Sequence, residues 1–365
     1  MSEDKKPDRM TNEAKRRFGR FWFISAIVAV ICCLLWKITV WNSRSPDEQL
    51  AAIEASLVIP ESEDAGVAYH KLAEDYLPLP VNAPFADLQN QSLTAKKPWS
   101  SKDYPNTAAW LNEWHELISR LLEISRLDKC RLPIPSDNQN ISYFTNPVRQ
   151  MNGWTILLVR SANLDAGEGR IDNAIEKYTC VLQMGSHLHR QPVFFYYNHG
   201  IAIESLALQS LEELITQTEL SDKQLAAIKA TLLPPRNNWK QHSKIMVKVQ
   251  RLFEQKQLER TWRPRITNWR SYWMYWKAIS KSNNEINNHL DRIHRYHLDT
   301  LADRRRIYIL IALRRYKNKT GHWPENLDRI EPPLSKEILT DPVNNKLFIY
   351  ELTGEDFRLS SRGAK

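Results

Sequence analysis

The stretch from Phe21 to Trp36, FWFISAIVAVICCLLW, carries no charged residue, and KITVW prolongs it to Trp41. No other feature restricts the chain as much. Roughly 20 residues at about 1.5 Å each cover a hydrocarbon core of ~30 Å. Trp22, Trp36 and Trp41 sit near its ends, where indoles prefer the membrane interface, and Lys37 can snorkel. Lys5, Lys6, Arg9, Lys15, Arg16, Arg17 and Arg20 precede the run, whereas Asp47, Glu48, Glu54, Glu61, Glu63 and Asp64 follow it. The positive-inside rule then makes residues 1–20 a cytoplasmic basic tail and 21–41 a single transmembrane helix. The body lies on the periplasmic side of a bacterial inner membrane. A cleaved signal peptide is disfavoured, because no small-x-small site follows and the run is long for such a segment. The first predicted partner is therefore the lipid bilayer, through residues 21–41.

Beyond the span the pattern is helical almost to the end, so the fold class expected is mainly α. With 42% hydrophobic residues in a chain of 365, there is material for a sizeable core. Only 10 glycines disfavour folds built on glycine-rich phosphate loops. Residues 45–235 read as an α-helical body. SPDE at Ser45–Glu48 is a capping box with proline at the first helical position, starting a helix to about Val58. A second helix is expected over Glu63–Leu77, and the proline-rich residues 78–105 read as a loop. WLNEWHELISRLLEI, from Trp110, resumes a 3.6-residue period. GWTILLVRSANLDAGEG and RIDNAIEKYTCVLQMGSHL form a helical hairpin with Gly167 and Gly169 at its corner. Phe194–Ile215 is the next helix, and Ser221 caps another that stops at Pro234 and Pro235.

GRIDNAIEKYTCVL resembles the second half of a tetratricopeptide repeat, with Gly169, Ala174, Tyr178 and Leu182 on its small and apolar positions. The pattern does not recur 34 residues on, so the resemblance implies one hairpin and no repeat array.

Residues 236–319 differ in kind. They hold 21 Lys/Arg against six acids, a net of +15 within a chain whose total is +9. Here lies TWRPRITNWRSYWMYWKAI, in which Trp269, Trp273 and Trp276 share one helix face, interleaved with Arg263, Arg265 and Arg270. Three readings compete. The indoles pack in the core beneath a solvated basic face, which is preferred. Alternatively they sit in a lipid headgroup layer with the cations on anionic lipid. Nucleic acid suits the composition but not the expected compartment.

Residues 320–365 follow a long helix ending in IYILIALRRYKNK. GHWPENLDRI, LTDPVNNKLFIYE and EDFRLSSRG then place a helix stop at Gly321 and Pro324 and a β-hairpin around TGED. This order resembles the C-terminal part of type II secretion pseudopilins. The resemblance implies a long helix against a small antiparallel sheet. The acids of that family's calcium loop have no counterpart in RGAK, so no calcium site is assigned. The whole layout also resembles a set of uncharacterised single-pass membrane proteins of planctomycete-type bacteria, which implies location only.

No G-x-S-x-G, H-E-x-x-H, P-loop or dinucleotide fingerprint is present. Asp291, His294 and His297 are spaced for a helix face but lack a third nearby ligand, so neither metal nor cofactor is expected. Cys32 and Cys33 fall in the apolar span. Cys130 and Cys180 remain for the exported part, where an oxidising exterior allows them to pair, with two free buried thiols an equal alternative. The function expected is an envelope scaffold or adaptor with envelope-protein partners. An envelope hydrolase with dispersed acids, and a lipid or polyanion binder acting through residues 236–319, stay open.

Overall fold

The structure is a computed structural model that describes residues 45–76, 94–135, 141–232, 238–262, 265 and 269–361. The expected basic tail and transmembrane helix, residues 1–41, lie outside the described residues. Among the described residues no helix is long and apolar enough to cross a membrane. The chain divides into two units, residues 1–49 and residues 50–365.

The first helix among the described residues is α1 (Pro46–Ala55). The capping box forms as expected: Glu48 N–H donates to Ser45 Oγ (3.2 Å), and Ser45 N–H donates to Glu48 Oε2 (2.9 Å).

The second unit is helical, with one two-stranded sheet. Helix α2 (Ala65–Asp75) is N-capped by Asp64, whose carboxylate accepts from Gly66 N–H at 2.8 Å. The periodic stretch from Trp110 is two helices, α3 (Pro105–Glu113) and α4 (His115–Ser125), not one. The break falls at Trp114, where the His115 imidazole donates to the Asn112 carbonyl (2.9 Å) and takes over part of the terminal hydrogen bonding.

The expected hairpin forms from α5 (Ile141–Gly167) and α6 (Ile171–His189). Gly167 is required at the corner, because a Cβ there would lie 2.0 Å from the Trp99 carbonyl oxygen. Helices α7 (Phe194–Gln217) and α8 (Asp222–Thr231) follow. The second starts with a full Ser221/Gln224 capping box. Trp154, Tyr69, Tyr178 and Tyr196 are the largest fully buried side chains of the main core.

The basic segment forms α9 (Trp239–Trp262) and α10 (Trp269–Thr320). At 52 residues, α10 is the long helix that the sequence predicts. Its C-terminal half buries Ile307, Ile309, Leu310, Ile311 and Leu313 in the main core, matching the near-continuous apolar run IYILIAL. There Arg314 donates Nε–H to the Ile215 carbonyl (2.7 Å) and also bonds the Thr216 carbonyl. A cation is thus set on the negative C-terminal end of α7.

Gly321 ends α10 at φ +85°, a conformation that glycine adopts without cost. After a short helix α11 (Lys336–Leu339), strands β1 (Ile349–Thr353) and β2 (Asp356–Ser360) pair antiparallel, Ile349 opposite Ser360 and Thr353 opposite Asp356. Trp323 anchors this module. Its ring packs on Phe357 at 4.6 Å, beneath the Arg314 guanidinium (4.8 Å) and the Lys317 ammonium (4.4 Å).

Candidate functional site

Two hydrophobic clusters divide the second unit. The larger holds Leu50 of α1, residues of α2–α8, Val249 and Leu252 of α9, the C-terminal half of α10 and the β module. The smaller joins Phe194, Tyr197 and Ile201 of α7 to Met246 of α9 and to Ile286 and Ile293 of α10. Helix α9 and the N-terminal half of α10, together the arm, meet α7 through this smaller core, while Val249 and Leu252 of α9 also reach the main core.

A polar joint lies where this arm meets the body. Gly185 and Gly200 bring α6 and α7 into backbone contact. A Cβ on Gly200 would lie 2.8 Å from the Gly185 carbonyl oxygen and 2.6 Å from His189 Cδ2. That close approach sets His189 against Glu204, with Nδ1 and Oε2 3.2 Å apart. Glu204 is 1% exposed and forms an ion pair with Arg304 of α10. Tyr197 OH meets His297 Nδ1 at 3.0 Å. The Trp239 indole lies nearly parallel to the His294 and His297 imidazoles, with ring centres 4.9 Å from each. His242 completes the group, its ring 5.5 Å from Tyr197 and its Nε2 buried with no hydrogen-bond partner among the described residues.

Burial dominates the electrostatics. It pushes His189 and His297 down to about 4 and lowers His242, so all three favour the neutral form at pH 7. Burial works against ionised Glu204 too, but Arg304 and then His189 outweigh it and hold the carboxyl below its usual range. Burial and the Glu204 carboxylate raise Tyr197. The cavity among these groups is about 20 Å³, which admits roughly one water-sized group. A second cavity, about 210 Å³, is lined by Lys96, Gln209, Glu212 and Glu213. Its carboxylates are engaged, Glu212 by Arg306 and Glu213 by Gln217 Nε2 at 2.6 Å. Asp303, beside Arg306, is raised to about 6, by burial first.

The residues singled out in the sequence fall elsewhere. Trp273 is 57% exposed and Trp276 45%, so neither packs in the core, and the preferred packing reading fails for both. A helix face needs a neighbour to bury its indoles, and the faces of α10 that have one carry Ile286, Ile293 and Ser271 instead. Trp269 is helical, but its side chain lies outside the described residues, as does Arg263. Arg265 and Arg270 are exposed. Lys277 stands over the Trp273 ring at 5.3 Å. Cys130 and Cys180 are free thiols, half-buried and buried. Burial raises both, Cys180 to about 12. Asp291 is exposed while His294 stacks on Trp239, and the described residues contain no group of three or more side chains arranged to hold a metal ion.

The joint itself is not visible to local sequence patterns, since Glu204 and Arg304, like Tyr197 and His297, are 100 residues apart. One signal was available: Glu204 interrupts the apolar run GIAIESLAL, and a carboxylate on a buried face needs a partner. Comparison with protein-family models, with curated proteins and with solved structures gave no match.

Proposed function

We propose that this chain is a membrane-anchored scaffold or adaptor of the cell envelope, whose helical body holds out the α9–α10 arm as an interaction surface. The observation that carries the reading is the exposure of Trp273 and Trp276, with Met274 between them 38% exposed. Single exposed apolar residues are ordinary on a soluble surface. Two indoles about 60° apart on the helix, with Met274 on the other flank of Trp273 and Arg270 and Lys277 beside them, have the composition of a contact surface. The apolar run at residues 21–41 supports the anchor, and the likeness of the C-terminal module to pseudopilins supports a setting near secretion machinery. The polar joint favours a structural role over hydrolysis, because its carboxylate is committed to Arg304 and its cavity has no room for a substrate.

Site-specific photo-crosslinking tests this reading. A photoreactive residue placed at position 273 or 276 of the full chain, in native membranes, should give discrete adducts. The same residue at Val58 or Leu352, which are also exposed, should give few. Equal adduct yields at all four positions would refute it.

A further inference from the structure

We infer that the outer face of the arm docks on an anionic lipid surface, with Trp273 entering the headgroup layer, Met274 and Trp276 on its two flanks, and the surrounding Lys/Arg engaging lipid phosphates. This names the partner of the surface proposed above and rests on that reading.

The orientation of α10 is the first support. Ile286 and Ile293 face α7, and Lys277 precedes Ile286 by nine residues. At 3.6 residues per turn that separation is roughly two and a half turns, which places Lys277 on the opposite side of the helix. Arg270 and Lys281 fall on the same outer side, with Trp273 and Met274 to either side of that row. The structure thus holds a basic and apolar face turned away from the protein it is attached to. Burial elsewhere agrees: Ser271, on the inner side, is buried, while Arg270, Trp273, Met274 and Lys277 are exposed.

Charge is the second support. Residues 251–281 hold eight Lys/Arg and two acids, a net of +6. Arg260 near the end of α9, Arg265, and Arg270 at the start of α10 are exposed. Glu285, next along the face, is matched by Lys281 at 3.8 Å. Chemistry is the third. Indole is amphipathic and favours the interface between headgroups and acyl chains, and long cations beside it reach phosphate while their stems stay apolar. A nucleic-acid surface would share the cations, but an exposed methionine flanking Trp273 gains from lipid and offers nothing to a base. The predicted span at residues 21–41 tethers the arm to a bilayer, so docking is intramolecular and even weak contacts are populated.

The test uses the full chain in nanodiscs of phosphatidylcholine, with and without phosphatidylglycerol, made with lipids brominated near the headgroup end of the chains. The fluorescence of Trp273 and Trp276 is obtained as the parent signal minus that of W273F/W276F. Quenching of this difference signal is expected in anionic discs, should be absent in neutral ones, and should be reversed by salt. Each surface cation near anionic lipid is worth about five-fold in binding, so R270Q/K277Q/K281Q should lower the docked-to-free ratio roughly a hundred-fold. Unchanged circular dichroism and melting confirm that the variants fold.

Absence of quenching in anionic discs overturns the inference, as does equal quenching in neutral ones. Heparin or single-stranded nucleic acid shielding these indoles from aqueous iodide, where anionic discs do not, would overturn it in favour of a phosphate or sulfate polymer. Arm-specific protein crosslinks without lipid quenching would sink the lipid partner and leave the scaffold reading standing. Loss of both would remove both.

Discussion

Acidification should release the arm before it disturbs the body, because the joint is built from histidines that are neutral only while buried. His189 and His297 are held at about 4 in the folded chain, against about 6.5 when unfolded. The folded pKa is depressed, so the opened state binds more protons chiefly between about pH 6.5 and pH 4. Stability contributed by the neutral imidazole is therefore present near pH 7, is lost as the pH falls from about 6.5 to about 4, and changes no further below that. For one histidine with these values the loss between pH 7 and pH 5 is about 2 kcal/mol, roughly thirty-fold in an opening equilibrium. The two rings share a joint with Glu204, Arg304 and His242, so their losses are coupled, and about twice this figure is the upper bound.

The core that joins the arm to α7 is small, and α9 adds only Val249 and Leu252 to the main core, which makes local opening the first response. Hydrogen exchange of the full chain in discs, corrected for the intrinsic pH dependence of exchange, measures it directly. Protection across α9 should fall at least ten-fold from pH 7 to pH 5, while α5, which carries no histidine, keeps its own. H189Q/H297Q should reduce the dependence in α9. Equal loss in α9 and α5, or an undiminished slope in the double variant, would refute the reasoning.

Other consequences are open to mutation. Glu204→Ala leaves Arg304 buried beside neutral groups and should cost about 3–5 kcal/mol in denaturant unfolding, with much of it recovered when Arg304→Met is added. Trp154→Ala should cost about 3–5 kcal/mol, whereas Trp273→Ala should change stability by no more than about 0.5 kcal/mol. Gly200→Ala drives a methyl towards the Gly185 carbonyl and the His189 ring, and should destabilise by about 1–3 kcal/mol or more in a thermal melt. Cys130 and Cys180, with their thiols raised by burial, should resist alkylation in the native chain at pH 8 and react fully in denaturant. Rapid native labelling would contradict their placement.

Local chemistry was readable from the sequence, and pairings across the chain were not. Ser45, Ser221 and Gly321 each mark a helix end by a mechanism confined to a few residues, and each sits where expected. The β-hairpin around Gly354 follows from the turn residues and the alternation beside them. The break at Trp114 was hidden because the apolar period of the two short helices runs through it in phase. Trp273 and Trp276 misled for a related reason. Periodicity shows that residues share a face, but only the fold shows whether a neighbour covers it. The joint was unreadable because each of its contacts joins distant helices, and Glu204 alone hinted that one of them had to supply a cation.

The central claim is that the arm presents its indoles outward, and covalent labelling tests it most directly. The full chain in neutral-lipid discs is treated briefly with a water-soluble indole-modifying reagent, and the modified tryptophans are mapped by mass spectrometry. Trp273 and Trp276 should be modified well before Trp99, Trp154 and Trp323, which are buried. Protection of Trp273 and Trp276 equal to that of Trp154 would contradict the account.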